Sequence, residues 1–127
     1  MKRTVFYFDD EAMLLDIFQQ MFSDDYEVYT ASTLSEARRV LAERPIEIVI
    51  SDQDMPEISG TEFLCEVAAQ YPTSYRVMLT GYMSIGEALP EIGSGIIHLF
   101  IAKPWEEENM RRLLERASLQ HDLRRIE

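Results

Sequence analysis

The stretch Ile46-Glu47-Ile48-Val49-Ile50-Ser51-Asp52-Gln53-Asp54-Met55-Pro56 decides the fold. Its centre, Ile48-Val49-Ile50, is continuously apolar and β-branched, as a strand buried on both faces should be. The run ends in acids, and Pro56 and Gly60 then punctuate a loop. Working outward from this strand, Ile46 to Ser51, four similar runs appear at Thr4 to Phe8, Tyr26 to Thr30, Tyr75 to Thr80 and Ile96 to Ala102. Between them, apolar residues recur at helical spacing: Leu14, Leu15, Phe18, Met21 and Phe22; Leu34, Ala37, Val40 and Leu41; Phe63, Leu64, Val67, Ala68 and Tyr71. Thr33 with Glu36, Ser59 with Glu62 and Ser84 with Glu87 have capping-box spacing, and Pro45 and Pro72 mark two helix ends. Alternating strands and helices imply a parallel sheet with helices on both faces, a three-layer α/β sandwich.

A chain of 127 residues makes one domain, and 46% hydrophobic residues suffice for one core. Twelve bases against 23 acids give a net charge of −11, which opposes unassisted binding to nucleic acid or an anionic membrane. Residues 1 to 105 carry 17 of the acids and 7 of the bases, so the excess belongs to the sheet domain. A lone Cys65 precludes an internal disulfide. With no membrane-span pattern and no signal-peptide pattern, the expectation is a cytoplasmic domain.

In an open parallel sheet, ligands bind outside the carboxyl ends of the strands. The first strand runs into Asp9, Asp10 and Glu11, the third into Asp52, Gln53 and Asp54, the fourth into Thr80 and Gly81, and the fifth into Lys103 and Pro104. Any one strand-end Asp could be a solvated residue or a helix cap. Four polar strand ends together need another account, because neighbouring carboxylates repel by roughly 4 kcal/mol per pair at an effective dielectric of about 20. A cation should sit among them. Lys103, one of only two lysines, supplies one charge, and an all-oxygen donor set without paired His or Cys suits Mg²⁺ rather than Zn²⁺. Acids, a hydroxyl, a lysine and a central aspartate are the parts for moving a phosphoryl group onto or off a carboxylate.

With these residues in place, the chain resembles the receiver (CheY-like) domain of two-component response regulators. The likeness rests on Val5-Phe6-Tyr7-Phe8-Asp9-Asp10-Glu11, Val49-Ile50-Ser51-Asp52-Gln53-Asp54-Met55-Pro56 with Gly60, Leu79-Thr80-Gly81-Tyr82, and Phe100-Ile101-Ala102-Lys103-Pro104-Trp105. It covers essentially residues 1–127. The resemblance implies a flavodoxin-like, doubly wound five-stranded parallel sheet in the order 2-1-3-4-5 with five helices. It implies that Asp52 is the phosphoacceptor, that Asp10 and Asp52 ligate Mg²⁺ directly, Asp9 through water and Asp54 through its main-chain carbonyl, and that Thr80 and Lys103 contact the acyl phosphate. Phe100 aligns with the aromatic switch residue that turns inward as the Thr80 hydroxyl moves, shifting the face of the fourth helix, fifth strand and fifth helix. The implied partners are a sensor histidine kinase or phosphotransfer protein and an effector domain or partner protein. The Thr-Gly-Tyr and Lys-Pro-Trp variants resemble receivers joined to HD-GYP cyclic-di-GMP phosphodiesterases or to hydrogenase-type transcription regulators.

Two other functions compete. A haloacid-dehalogenase-like Mg²⁺ phosphohydrolase also uses a strand-end Asp-x-Asp, but on its first strand and with a different following residue; here the motif ends the third strand and Met55-Pro56 follows. A phosphate-independent pseudo-receiver would bind partners only, although every expected acceptor-site residue type is present. His98 and His121 lack a phosphodonor pattern and read as structural, and Cys65 as packed. Gly86 and Pro90 weaken the predicted fourth helix, Ser84 to Ile92, which is expected to be mobile without phosphate. The last helix, from near Trp105 to Glu127, would span roughly 33 Å. It carries Met110, Leu113, Leu114 and Ala117 on one stripe and Leu119, Leu123 and Ile126 almost opposite. One sheet cannot bury both, so residues 118–127 are expected to form a linker or homodimerisation helix leading to an effector.

Overall fold

The computed structural model describes residues 2–81 and 94–126. Five strands, β1 (Arg3–Phe8), β2 (Tyr26–Ala31), β3 (Ile48–Asp52), β4 (Tyr75–Thr80) and β5 (Leu99–Ala102), pair in parallel in the order β2-β1-β3-β4-β5. This is the flavodoxin-like order expected from the resemblance. Helices α1 (Ala12–Phe22), α2 (Leu34–Glu43), α3 (Gly60–Gln70) and α4 (Glu107–Ile126) cover the sheet. The expected helix at 84–92 and its Ser84–Glu87 capping pair lie outside the described residues. Four helices are therefore described where five were expected, and α4 is the one expected as the fifth.

Alternation along the strands divides the core between the two faces. Val5, Tyr7, Ile48, Ile50, Val77 and Leu79 pack with Leu15, Phe18 and Phe22 of α1 and with Met110, Leu113, Leu114 and Ala117 of α4. Phe6, Phe8, Val49 and Met78 pack on the other face with Ala37 and Leu41 of α2 and Phe63, Leu64 and Val67 of α3. Each Val, Leu, Ile, Phe or Met among them contributes about 1.5–3 kcal/mol by leaving water. The inner stripe expected of the last helix is thus the buried one. Leu119 and Leu123 of the opposite stripe remain 65% and 56% exposed, while the side chain of Ile126 lies outside those described.

The capping expectations hold to different degrees. Ser59 and Glu62 form the full reciprocal box at the start of α3. At α2, Thr33 accepts from the Glu36 amide, but the Glu36 carboxylate turns to the Ser32 amide and to the Ser32 and Thr33 hydroxyls. Ser59→Ala should cost about 1 kcal/mol in urea unfolding, the usual worth of an N-cap. Neither Asp9 nor Asp10 is the N-cap of α1; Glu11 holds that position, with no side-chain bond.

β5 begins at Leu99 rather than Ile96, because the ladder before it is closed by a side chain. His98 donates its amide to the Arg76 carbonyl at 2.9 Å, and its ring Nδ1 accepts the Arg76 amide at 2.9 Å, where a strand would offer a carbonyl. Burial and the nearby Arg124 and Arg76 charges lower its pKa to about 4, which keeps that nitrogen an acceptor. Arg76, 3% exposed, spends its guanidinium on the carbonyls of Ile96, Ser74 and Gly95 and so ties the approach to β5 against β4. α4 starts at Glu107, two residues beyond Trp105.

Candidate functional site

Hydrogen bonds carry the sheet order past the strand ends. Asp9 donates its amide to the Ala31 carbonyl at 3.2 Å, Gln53 to Leu79 at 2.9 Å and Lys103 to Thr80 at 3.0 Å. Three loops are thereby fixed side by side along one edge, and their first polar residues converge. Carboxylate oxygens of Asp9, Asp10 and Asp52 lie within 4.8 Å of one another. Lys103 Nζ stands between two of these groups, 3.1 Å from Asp52 Oδ1 and 3.4 Å from Asp9 Oδ2.

The site is acidic and partly shielded from water: Asp9 is fully buried and Asp52 is 3% exposed, while Asp10 is exposed. Burial first, and then the Asp9 charge, push the Asp52 carboxyl up to about 6, with Lys103 opposing. Burial works against the Lys103 charge, but the Asp52 and Asp9 carboxylates outweigh it and raise the lysine. One ammonium does not balance three acids, and the remaining carboxylate oxygens form the hard-oxygen donor set that Mg²⁺ takes. The residues therefore fit that ion. Asp54 is exposed and its carboxylate is not part of the cluster. Thr80 ends β4 fully buried, and its hydroxyl donates to the Gly81 carbonyl at 3.0 Å. Phe100 pairs in register with Met78 and, two residues before Ala102, faces the same side of the sheet as Thr80. It packs half-buried on the α2–α3 side of the core.

Three further residues, quoted in the sequence motifs but given no role there, shape the site. The Tyr7 hydroxyl donates to Asp9 Oδ2 at 2.7 Å, while Asp9 Oδ1 accepts the Glu11 amide at 3.0 Å, so the Asp9 carboxylate is held at both oxygens. Burial and this carboxylate raise the Tyr7 pKa, which keeps the phenol a donor. Tyr7→Phe should destabilise the Mg²⁺-free protein by about 2 kcal/mol, the worth of a hydrogen bond to a charged group, measured by urea unfolding in chelator. Gln53 is buried, and its side-chain oxygen accepts the Thr61 amide at 2.8 Å and the Thr61 hydroxyl at 3.1 Å. Gly60 donates its amide to the Gln53 carbonyl at 2.9 Å, so close that a Cβ would lie 2.4 Å from the Asp52 carbonyl oxygen.

Comparison with known proteins identifies the family and the fold. The family described as the response regulator receiver domain matches residues 5–115. The hydrogenase transcriptional regulatory protein HoxA of Cupriavidus necator is 30% identical over 128 residues, which cover 98% of this chain and 27% of that protein. The chain thus spans about a quarter of the length of that curated relative. Among solved structures, the signal receiver domain of an HD domain-containing protein from Pseudomonas fluorescens superposes with a TM-score of 0.88 at 26% identity, covering 96% of this chain and 98% of that one. A response regulator receiver domain protein from Clostridium thermocellum gives 0.86 at 27% identity, covering 95% and 98%. A hydrogenase regulator and an HD-domain protein, the two kinds of company suggested by the Thr-Gly-Tyr and Lys-Pro-Trp variants, both occur among these relatives.

Proposed function

The chain belongs to the response regulator receiver domain family, and from that premise we propose that it is a phosphorylation-controlled switch whose acceptor is Asp52. Receiver domains are signalling modules, and phosphorylation-dependent switching is their general work. The observation that carries the specific reading is Lys103 Nζ poised between Asp52 and Asp9, with Asp10 in the same cluster.

An Asp52 carboxylate oxygen attacks the phosphorus of a phosphohistidine on a histidine kinase or phosphotransfer protein, or of a small acyl phosphate. A P–O bond to Asp52 forms as the bond to the donor's nitrogen or oxygen breaks, and the donor leaves with that electron pair. Asp10, Asp52 and the Asp54 main-chain carbonyl, with Asp9 through water, would hold Mg²⁺, whose charge would offset that of the phosphoryl oxygens. Lys103 exchanges its Asp52 contact for a phosphoryl oxygen, and Thr80 turns its hydroxyl from the Gly81 carbonyl toward another. Phe100, on the same face as Thr80, moves inward behind it. An effector domain or partner protein reads the resulting surface around β5.

The C-terminal segment 118–127 is proposed as the linker or dimerisation helix, since Leu119 and Leu123 lie exposed four residues apart on α4. The net charge of −11 argues against direct nucleic-acid contact by this domain. No helix among the described residues is long and apolar enough to cross a membrane. The reading places the domain in the cytoplasm, where a kinase's phosphoryl group is available to it.

Incubation with Mg²⁺ and acetyl phosphate or phosphoramidate, followed by intact mass and phosphate assay, separates the alternatives. A persistent adduct of about 80 Da at Asp52 supports the switch. Multiple-turnover phosphate release would favour the haloacid-dehalogenase-like phosphohydrolase, and no adduct the pseudo-receiver.

A further inference from the structure

The sheet edge opposite the acidic cluster carries a second set of ligand-type side chains. Glu47, just before β3, and His121 and Asp122, on α4, each bring one ligand atom to within 4.8 Å of the others. His121 is 4% exposed, and its Nδ1 is buried without a hydrogen-bond partner. A buried imidazole nitrogen in this position calls for a partner. The nitrogen is aimed into the gap between the acids, 3.6 Å from Glu47 Oε2 and 3.6 Å from Asp122 Oδ1.

That spacing is informative. A tetrahedral zinc centre with bonds of about 2.0–2.2 Å has ligands roughly 3.4 Å apart along each edge. The imidazole nitrogen therefore stands within a few tenths of an ångström of a zinc ligand's place relative to both carboxylates. Glu47 is also braced: its Oε1 accepts the Thr4 amide at 3.2 Å, and its own amide donates to the Thr4 hydroxyl at 2.9 Å. Such bracing fixes ligand direction. A groove of about 710 Å³, lined by Pro45, Glu47, Tyr71, Ser74 and His121, opens beside the group and gives an ion and a fourth, water ligand their way in.

We propose that Glu47, His121 and Asp122 form a second metal site, specific for a borderline divalent ion such as Zn²⁺, which fastens α4 to the sheet edge remote from Asp52. One imidazole and two carboxylates suit Zn²⁺, whereas Mg²⁺ prefers oxygen alone. Without metal, Arg3 balances the two acids. Its Nη1 donates to Glu47 Oε2 at 3.1 Å and to Asp122 Oδ1 at 2.9 Å, and its Nη2 pairs with Asp122 Oδ2. With its side chain 30% exposed, Arg3 can swing outward when the ion takes its place. Arg3 and Zn²⁺ thus compete for the same oxygens.

The test is calorimetric titration of the untagged chain with Zn²⁺ in millimolar Mg²⁺, which keeps the strand-end cluster filled, with Co²⁺ absorption as the probe of tetrahedral geometry. One ion per chain should bind. His121→Gln should weaken binding by about 100-fold or more, exceeding the 10- to 100-fold of losing an outer-shell partner. Asp122→Asn, at a half-exposed side chain that spares the core, should weaken it as well. Arg3→Gln should tighten it, and Asp10→Asn should leave it unchanged. No Zn²⁺ uptake in the presence of Mg²⁺ would overturn the proposal. So would uptake that Asp10→Asn removes and both α4 variants leave intact.

Discussion

Asp52→Asn will abolish phosphoryl incorporation and, in chelator at pH 7, will make the protein more stable by up to about 3 kcal/mol. The first effect follows from loss of the nucleophilic carboxylate. The second follows from electrostatics, because burial and Asp9 raise the Asp52 carboxyl from 3.8 to about 6. That difference corresponds to about 3 kcal/mol between protonation states. The folded chain holds this proton to higher pH than the unfolded chain, so it binds more protons between about pH 4 and 6. Stability conferred by the protonated carboxyl is complete below about pH 4, falls as pH rises through 6, and is absent at pH 7. Asn carries no charge and escapes that loss. Urea unfolding of the two proteins across pH 4 to 8 should show the variant's advantage shrinking toward acid pH. A variant less stable than wild type at pH 7 would mean that the Lys103 bond outweighs the repulsion.

Gly60→Ala should cost about 3 kcal/mol, at the upper end of overpacking penalties, and slow adduct formation markedly. The added Cβ would meet the Asp52 carbonyl oxygen at 2.4 Å and Gln53 Cα at 2.9 Å. Both are backbone atoms of the acceptor loop and cannot turn aside as a side-chain end could. Relieving the clash moves the Asp52–Gln53 peptide, and with it the carboxylate beside Lys103. Gly81→Ala serves as the comparison, because nothing among the described residues lies within 4 Å of its Cβ position. It should stay within about 0.5 kcal/mol of wild type. Urea unfolding and initial adduct rates check both variants.

Much of this was legible from local pattern. Short apolar runs placed the strands and period-3.6 spacing the helices among the described residues, and the parallel topology gathered Asp9, Asp10, Asp52 and Lys103 at one edge. What local pattern hid was polar work done by residues inside apolar runs. Tyr7 reads as one more core aromatic of β1, yet its hydroxyl reaches Asp9. Arg76 and His98 sit within apolar runs, and their partners lie 20 and 22 residues away in the chain. Gln53 reads as a spacer between two acids until Thr61, eight residues on, folds back onto it. His121 lacks any phosphodonor pattern and reads as structural, and nothing near it in the chain points to Glu47, which lies far back just before β3. Such pairings are set by topology, which spacing along the chain does not encode.

The most direct measurement is chemical location of the phosphoryl group. After incubation with Mg²⁺ and phosphoramidate, borohydride reduces an aspartyl phosphate to homoserine, and peptide mapping reads the position. The account predicts homoserine at Asp52 alone, dependent on Mg²⁺ and lost when chelator is present. Modification at Asp10, Asp54 or a histidine in place of Asp52, or no modification of any residue, would contradict it.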